Sequence, residues 1–248
     1  MSTLILIIGA IVLTIGIVWL INKYVTAKVK PFLLVVLWAL IIYLAYINVK
    51  SIYEPLQFNK IKDKRYAMVI EDLKDLRSAQ LAHRQVTGKF QSNFENLVKF
   101  IDTAQFTITQ RRDSSIIDKE LTRRYGGVTT YKDIIVTDTL GFVPVKDSLF
   151  KKSNRYKTMI NLPEGAGEPG AKFQMEAGFV ERNNVKVPVF VIKVDKSVIL
   201  YDQNKDLIAQ EKEVVSVDGV NGPTLKVGSM NEVNTNGNWP KVYGSNDE

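Results

Sequence analysis

Residues 4–21 read LILIIGAIVLTIGIVWLI, and residues 32–49 read FLLVVLWALIIYLAYINV. Neither stretch contains a charged side chain, and each is 18 residues long. As a helix, each would span about 27 Å, close to the ~30 Å hydrocarbon core of a bilayer. The sequence therefore predicts a transmembrane hairpin in residues 1–50. A cleaved signal peptide, or two buried helices of a soluble fold, are the alternatives. The signal peptide is disfavoured because the first stretch lacks a basic segment before it and is longer than the usual apolar region.

The net charge of +7 is concentrated beside these spans. Residues 1–65 hold eight Lys/Arg against two acidic residues, a balance of +6, which leaves +1 for residues 66–248. This distribution argues against nucleic acid as a partner and for the lipid bilayer. Four basic residues after the second span are predicted to attract anionic lipid headgroups, with a solvated helix face as the alternative: Lys60, Lys62, Lys64 and Arg65.

The lysines also bear on orientation. Three of them lie in the short link 22–30, so the positive-inside rule predicts a cytoplasmic link and a periplasmic soluble domain. Five basic residues after the second span favour the opposite orientation. We expect the periplasmic arrangement, because the link is dense in charge and the N-terminus before the first span is short and uncharged.

Beyond the spans, the pattern predicts an α+β fold that begins with a helix. Residues 51–104 are expected to form a helical stalk, starting near Glu54-Pro55, followed by a short amphipathic helix. The stalk carries a narrow apolar stripe at 3-4-3 spacing, which is typical of a coiled-coil arm: Tyr66, Val69, Leu73 and Leu76. Ser92 to Glu95 fit a capping box at the start of the short helix, and Gly88 fits a helix end.

Residues 105–228 are predicted to form a mainly antiparallel β-sheet domain. The clearest hairpin is 172–194, with a turn at Asn183-Asn184, and Pro188 places its second strand at an edge or near a bulge. Residues 111–125 show a weak helical stripe. Shorter strands are expected at five further places: 105–109, 133–139, 142–145, 198–201 and 214–217. Residues 229–248 form a polar tail, in which Trp239 and Tyr243 are candidate partner contacts because they are large apolar groups for a solvated segment.

Motifs for chemistry are sparse. The spacing G-x-G-x-x-G occurs at residues 165–170, but a strand pattern follows it where a nucleotide site needs a helix, so a loop is predicted. An incomplete EF-hand pattern is a weak calcium candidate, with Leu207 where glycine is normal: Asp202, Asn204, Asp206 and Glu213. The single histidine, His83, and the absence of cysteine leave no transition-metal cluster in sequence. We expect no cofactor and no catalytic residues.

Three stretches resemble two-helix inner-membrane envelope proteins of Bacteroidota: residues 51–55 (SIYEP), 110–113 (QRRD) and 145–150 (VKDSLF). The resemblance implies a bacterial inner-membrane location and no particular activity. Neither apolar span contains Asp, Glu, His, Lys or Arg, which argues against a pump or a proton-driven motor. The sequence thus favours a non-enzymatic structural subunit of an envelope complex for secretion, motility or transport. It would contact other envelope proteins, and the hairpin or the stalk offers a route to a homo-oligomer. A periplasmic binding or sensor module for calcium, a peptide or a glycan is the alternative.

Overall fold

The computed structural model describes residues 12–19, 21–23, 26, 29–214 and 220–243. The chain divides into two units, residues 1–57 and residues 58–248. Its helices and strands, in chain order, are α1 (Lys30–Thr87), α2 (Phe94–Thr103), β1 (Gln105–Ile117), α3 (Lys119–Arg124), β2 (Tyr131–Pro144), α4 (Val145–Leu149), β3 (Gln174–Arg182), β4 (Val185–Asp195), α5 (Lys196–Ile199), α6 (Lys205–Glu211) and β5 (Thr224–Gly228). The described residues also include two 3-10 turns, Arg155–Lys157 and Lys241–Tyr243, and further helical residues at 12–19 and 21–23.

The first unit contains the apolar part of α1. The expected second span, 32–49, lies inside this helix, and its side chains are almost all exposed. Among the described residues, α1 is the one helix long and apolar enough to cross a membrane. Residues 12–19 and 21–23 of the expected first span are also helical, whereas residues 4–11 and 20 lie outside the described residues. A single long apolar helix near the N-terminus is therefore shown, compatible with a membrane anchor or a signal sequence, and a two-helix hairpin is not.

The expected break at Glu54-Pro55 is wrong, because α1 continues through Pro55. A proline inside a helix removes one backbone hydrogen bond, at a cost of about 3 kcal/mol. No glycine lies between Lys30 and Thr87, so the helix meets no other strong stop signal in this stretch. It ends where predicted, at Gly88, whose φ of 77° is in the left-handed region.

The stripe predicted to line a stalk lies instead in the core of the second unit. Tyr66, Val69, Leu73 and Leu76 are fully buried, in one cluster with Phe190 and other residues of the sheet. Burying each such side chain stabilises the fold by about 1.5–3 kcal/mol. The 3-4-3 spacing is the same for a coiled-coil seam and for a helix lying on a sheet, so the spacing alone could not identify the surface that covers it.

That covering surface is an antiparallel sheet of order β3-β4-β5. The predicted hairpin at 172–194 is confirmed, and its turn residues Asn183 and Asn184 have φ of 50° and 61°. The strand holding Pro188 is central rather than an edge, but β5 pairs with β4 only from Val191 onward. Pro188 therefore lies in a part of β4 that only β3 pairs, where the missing N–H breaks no ladder.

Smaller elements close the second unit. Asn93 caps α2, its side chain accepting from the Asn96 N–H at 3.0 Å. The strands expected at 198–201 and 214–217 are not seen in the described residues. Residues 196–199 form α5 instead, because the Asp195 side chain caps a helical turn there. Val214 is not in a strand. Residues 215–217 lie outside the described residues. The glycine-rich segment 165–170 is a loop, as predicted.

His83, expected on a charged stalk, lies near the end of α1 and is 5% exposed. Its Nδ1 is 2.6 Å from the Lys89 carbonyl oxygen, so Nδ1 carries the proton and donates. Its ring packs edge-on against Phe100, with ring centroids 4.7 Å apart. The histidine therefore ties the helix end to the segment that follows.

Candidate interaction site

Residues 105–144 of the second unit form a long ribbon that consists of β1, α3 and β2. The two strands pair antiparallel from Gln105↔Pro144 to Ile117↔Tyr131. No residue in either strand is buried. The weak helical stripe expected at 111–125 is thus mostly wrong: residues 111–117 belong to β1, and only 119–124 are helical. The two strands predicted at 133–139 and 142–145 form one continuous strand, β2, except that Val145 belongs to α4.

The ribbon leaves and rejoins the domain at one point. The Val145 N–H donates to the Ala104 carbonyl at 3.0 Å, so the two chain segments stay in contact where the ribbon begins. Directly below this point, Ile101 and Val145 are fully buried. The root of the ribbon, where residues 104 and 145 meet, therefore adjoins buried residues, whereas no strand residue of the ribbon is itself buried.

Both faces of the ribbon carry large exposed apolar side chains. Because strand residues alternate between faces, Ile117, Ile135 and Phe142 share one face, whereas Ile108 and Ile116 lie on the other. Ile135 is 67% exposed and Phe142 is 64% exposed. Further exposed apolar residues are Tyr125, Val128, Tyr131 and Leu140.

An isolated two-stranded ribbon is only marginally stable in water, and exposed apolar patches with free strand edges mark contact sites. Charged groups are interspersed with them, and Arg112 pairs with Asp138 at 2.8 Å across the strands. The tip is ordered: the Asp118 side chain caps α3, and the Asp118 N–H donates to the Thr130 carbonyl at 2.8 Å. The arrangement is suited to binding a protein surface.

The predicted lipid-binding residues are divided by the fold. Lys60 and Lys64 are exposed. Lys62 lies 3.0 Å from a Glu211 carboxylate oxygen, and Arg65 donates to both carboxylate oxygens of Asp202, at 2.6 and 2.8 Å. Two of the four predicted headgroup contacts therefore also hold α1 to the segment around α6.

The candidate calcium residues have other roles. Hydrogen bonding to Arg65 lowers the pKa of the Asp202 carboxyl to about 2. The Asn204 side chain caps α6 by accepting from the Asp206 N–H at 2.8 Å, while Asp206 and Glu213 are exposed. Within the described ranges, no group of three or more His, Cys, Asp or Glu side chains is arranged to hold a metal ion. Calcium binding stays a prediction.

The two aromatic residues of the tail, expected to contact a partner, contact this chain instead. Trp239 is 2% exposed and belongs to the core. The Tyr243 hydroxyl donates to Asp63 at 2.6 Å, and its ring lies 6.1 Å from that of Tyr66. Residues 229–243 are thus part of the folded unit, while residues 244–248 lie outside the described residues.

Sequence reasoning missed a buried charge. The Lys196 ammonium is completely buried and donates to the Glu211 carbonyl at 2.5 Å and to the Val220 carbonyl. It also lies 3.2 Å from a Glu211 carboxylate oxygen, which opposes the lowering of its pKa by burial. With three acceptors around it and no access to solvent, this lysine holds α6 in place and is not poised as a nucleophile.

Comparisons with protein-family models, with curated proteins and with solved structures find no match to this chain.

Proposed function

We propose that this chain is a non-enzymatic, membrane-anchored structural subunit of a bacterial cell-envelope complex for secretion, motility or transport. The ribbon 105–144 is its protein-binding arm. One observation carries the proposal: 27 strand residues, 13 in β1 and 14 in β2, include large apolar side chains on both faces, and none is buried. A folded domain that is otherwise well packed gains nothing from such a ribbon unless another protein covers it.

The anchor is proposed to be a helical hairpin in the inner membrane, with the domain in the periplasm. The apolar residues of α1 and the helical residues 12–19 and 21–23 support it. The Lys30 ammonium donates to the Asn22 side-chain oxygen at 3.1 Å, a contact between the ends of the two apolar segments. The lysine-rich link supports the cytoplasmic placement of that turn. Exposed Lys60 and Lys64 remain candidates for headgroup contacts.

Because the two ends of the ribbon meet at one hydrogen bond, the ribbon can be removed to test whether it is the binding arm. Residues 105–144 are replaced by Asn-Gly, so that the existing hydrogen bond from Val145 to Ala104 becomes that of a two-residue hairpin turn. We expect the wild-type chain to migrate as a large species when extracted from native membranes in mild detergent. The excised variant is expected to migrate at lower mass, with the same membrane retention and a similar unfolding midpoint.

A matched control is Phe179→Asp, which alters a residue that is 59% exposed on β3, outside the ribbon. It should leave the native size unchanged. An excised variant that folds, stays in the membrane and keeps the wild-type size would rule out the ribbon as the binding arm.

A further inference from the structure

We propose that the partner of the ribbon is a second copy of this chain. The β2 strands of the two copies pair antiparallel about a two-fold axis at Ile135, giving one sheet of order β1-β2-β2-β1. This inference rests on the proposed function of the ribbon as a binding arm and names what it binds.

A bulge marks the limits of the pairing segment. The register runs Ile108↔Gly141 on one side and Thr109↔Thr139 on the other, which leaves Leu140 without an opposite residue. A bulge interrupts a regular strand edge, so the regular part of β2 extends from its first residue, Tyr131, to Thr139. Ile135 lies at its centre. Two copies paired about Ile135 therefore match this whole segment with itself.

The side chains of that segment are complementary in this register. A two-fold axis perpendicular to the sheet keeps each side chain on its own face and sets Ile135 against Ile135. On the other face, Ile134 meets Val136 and Lys132 meets Asp138. The three central apolar residues, Ile134, Ile135 and Val136, thus meet apolar residues, whereas Asp133 meets Thr137 and Tyr131 meets Thr139. The pair of Lys132 with Asp138 has opposite signs, which is favourable for directly opposed residues.

The second edge of the ribbon does not match itself. The regular part of β1 between the bulge and its end is 109–117, with Asp113 at its centre, directly across the ribbon from Ile135. Pairing two β1 strands would set Asp113 against Asp113, which is destabilising. Pairing β1 with β2 of another copy would repeat the register that these strands have within the ribbon, but it would leave one β1 edge and one β2 edge open to further copies. Pairing of two β2 edges gives a closed dimer and sets no like charges directly opposite each other.

Because the chain contains no cysteine, single cysteines can be introduced one at a time into the full chain in detergent. Disulfide formation between two copies then reports the register. Opposed residues of an antiparallel pair have Cα atoms about 4.5–5.5 Å apart, within reach of a disulfide. Ile135→Cys should therefore form a disulfide-linked dimer under mild oxidation. Thr137→Cys should not, because its two copies lie about 13 Å apart along the strands. Asp113→Cys should not, because three strand spacings, about 14 Å, separate its copies.

A mixing experiment tests the same register independently. Chains carrying Lys132→Cys and chains carrying Asp138→Cys should cross-link with each other when mixed, and neither should cross-link alone. Each mixed dimer retains one native pair of Lys132 with Asp138, so both variants can still assemble. Lys132 is exposed and Asp138 is half-buried in a strand that contributes nothing to the core, so both variants are expected to keep the domain fold, and the unfolding midpoint of each variant checks this.

Equal cross-linking at positions 113, 135 and 137, or none at 135 with no mixed product, overturns the inference. If cross-linking is absent while excision of the ribbon still lowers the native size, the ribbon binds a different protein and the proposed function stands. Excision without any change in native size counts against the proposed function itself.

Discussion

Asp72 is a half-buried acidic residue of α1 that lies close to two other acidic residues. Burial, reinforced by the negative charges of Asp75 and Glu71, raises the pKa of its carboxyl to about 6. Arg155 acts in the opposite direction, but its guanidinium is engaged by Asp75, with contacts of 2.5 and 3.0 Å. At neutral pH the folded chain therefore holds a carboxylate that is less favourable than the same group in the unfolded chain.

We expect Asp72→Asn to raise the free energy of unfolding at pH 7.5 by about 1 kcal/mol, which is less than the full pKa shift implies because solvent partly screens this half-buried group. Between about pH 4 and pH 6 the folded wild type binds more protons than the unfolded chain, so its stability falls as pH rises through this window. The advantage of the variant should vanish below about pH 4, where both states are protonated. Urea unfolding of the wild type and the variant, at pH 7.5 and below about pH 4, measures the difference in stability at each pH. A difference that does not depend on pH would refute the assignment.

The matched control is Asp75→Asn, on the same helix. It removes the partner of Arg155 and should therefore stabilise the chain less than Asp72→Asn does at pH 7.5. The contrast separates relief of an unfavourable carboxylate from a general effect of lowering the negative charge of this helix face.

Ion pairs between residues that are distant in sequence could not be predicted from the sequence. Arg65 and Asp202 are 137 positions apart, and Lys196 and Glu211 are 15 apart, so no local periodicity joins either pair. In the sequence, charge alone marks the basic cluster at 60–65. Whether a given lysine or arginine faces lipid or a carboxylate depends on which distant segment packs beside it.

At the scale of single elements, the turn between β3 and β4 is the simplest to test. Asn184 has φ of 61°, a conformation that glycine adopts without strain. We expect Asn184→Gly to raise the free energy of unfolding by about 0.5 kcal/mol, and Asn184→Val to lower it by about 1–2 kcal/mol. Urea unfolding of the wild type and the two variants measures both changes. A valine variant as stable as the wild type would contradict the turn geometry.

This hairpin was predictable, whereas the ribbon was largely not. Residues 172–177 alternate between polar and apolar side chains because one face of β3 is covered, and that alternation is visible locally. In β1, residues 110–115 read QRRDSS, with no apolar face to detect. Strand formation there depends on backbone pairing with β2, which begins more than a dozen residues later. The order of apolar and polar residues within β1 carries no information about that pairing.

For the whole molecule, the main difference from expectation is that the second half of α1 is core. We expect Leu73→Ala to lower the free energy of unfolding by about 2–5 kcal/mol, because it leaves a cavity at a fully buried site. Leu56→Ala, at a 62% exposed position of the first unit, should change it by less than about 0.5 kcal/mol. Urea unfolding of the full chain in detergent provides the measurement. Equal effects would mean that the stripe is not buried.

The general plan, an apolar N-terminal helix followed by a mixed domain with an antiparallel sheet, could be predicted from composition and alternation. The burial of α1 could not. Its polar face is dense in charge, and its buried face includes Arg77, Gln80 and His83, which a search for apolar stripes passes over. Gln80 contacts Met175 of β3 at 3.1 Å, so even the contact with the sheet is partly made by a polar residue.

The hydrogen bond from Val145 to Ala104 also has an evolutionary meaning. Since the ribbon begins and ends at a single closed point, insertions and deletions within it would not displace any residue of the core. Selection could therefore alter the length and surface of the ribbon independently of the domain. Relatives of this chain would be expected to share the helix-on-sheet core while diverging most between residues 105 and 144, and each divergent ribbon would define its own binding specificity.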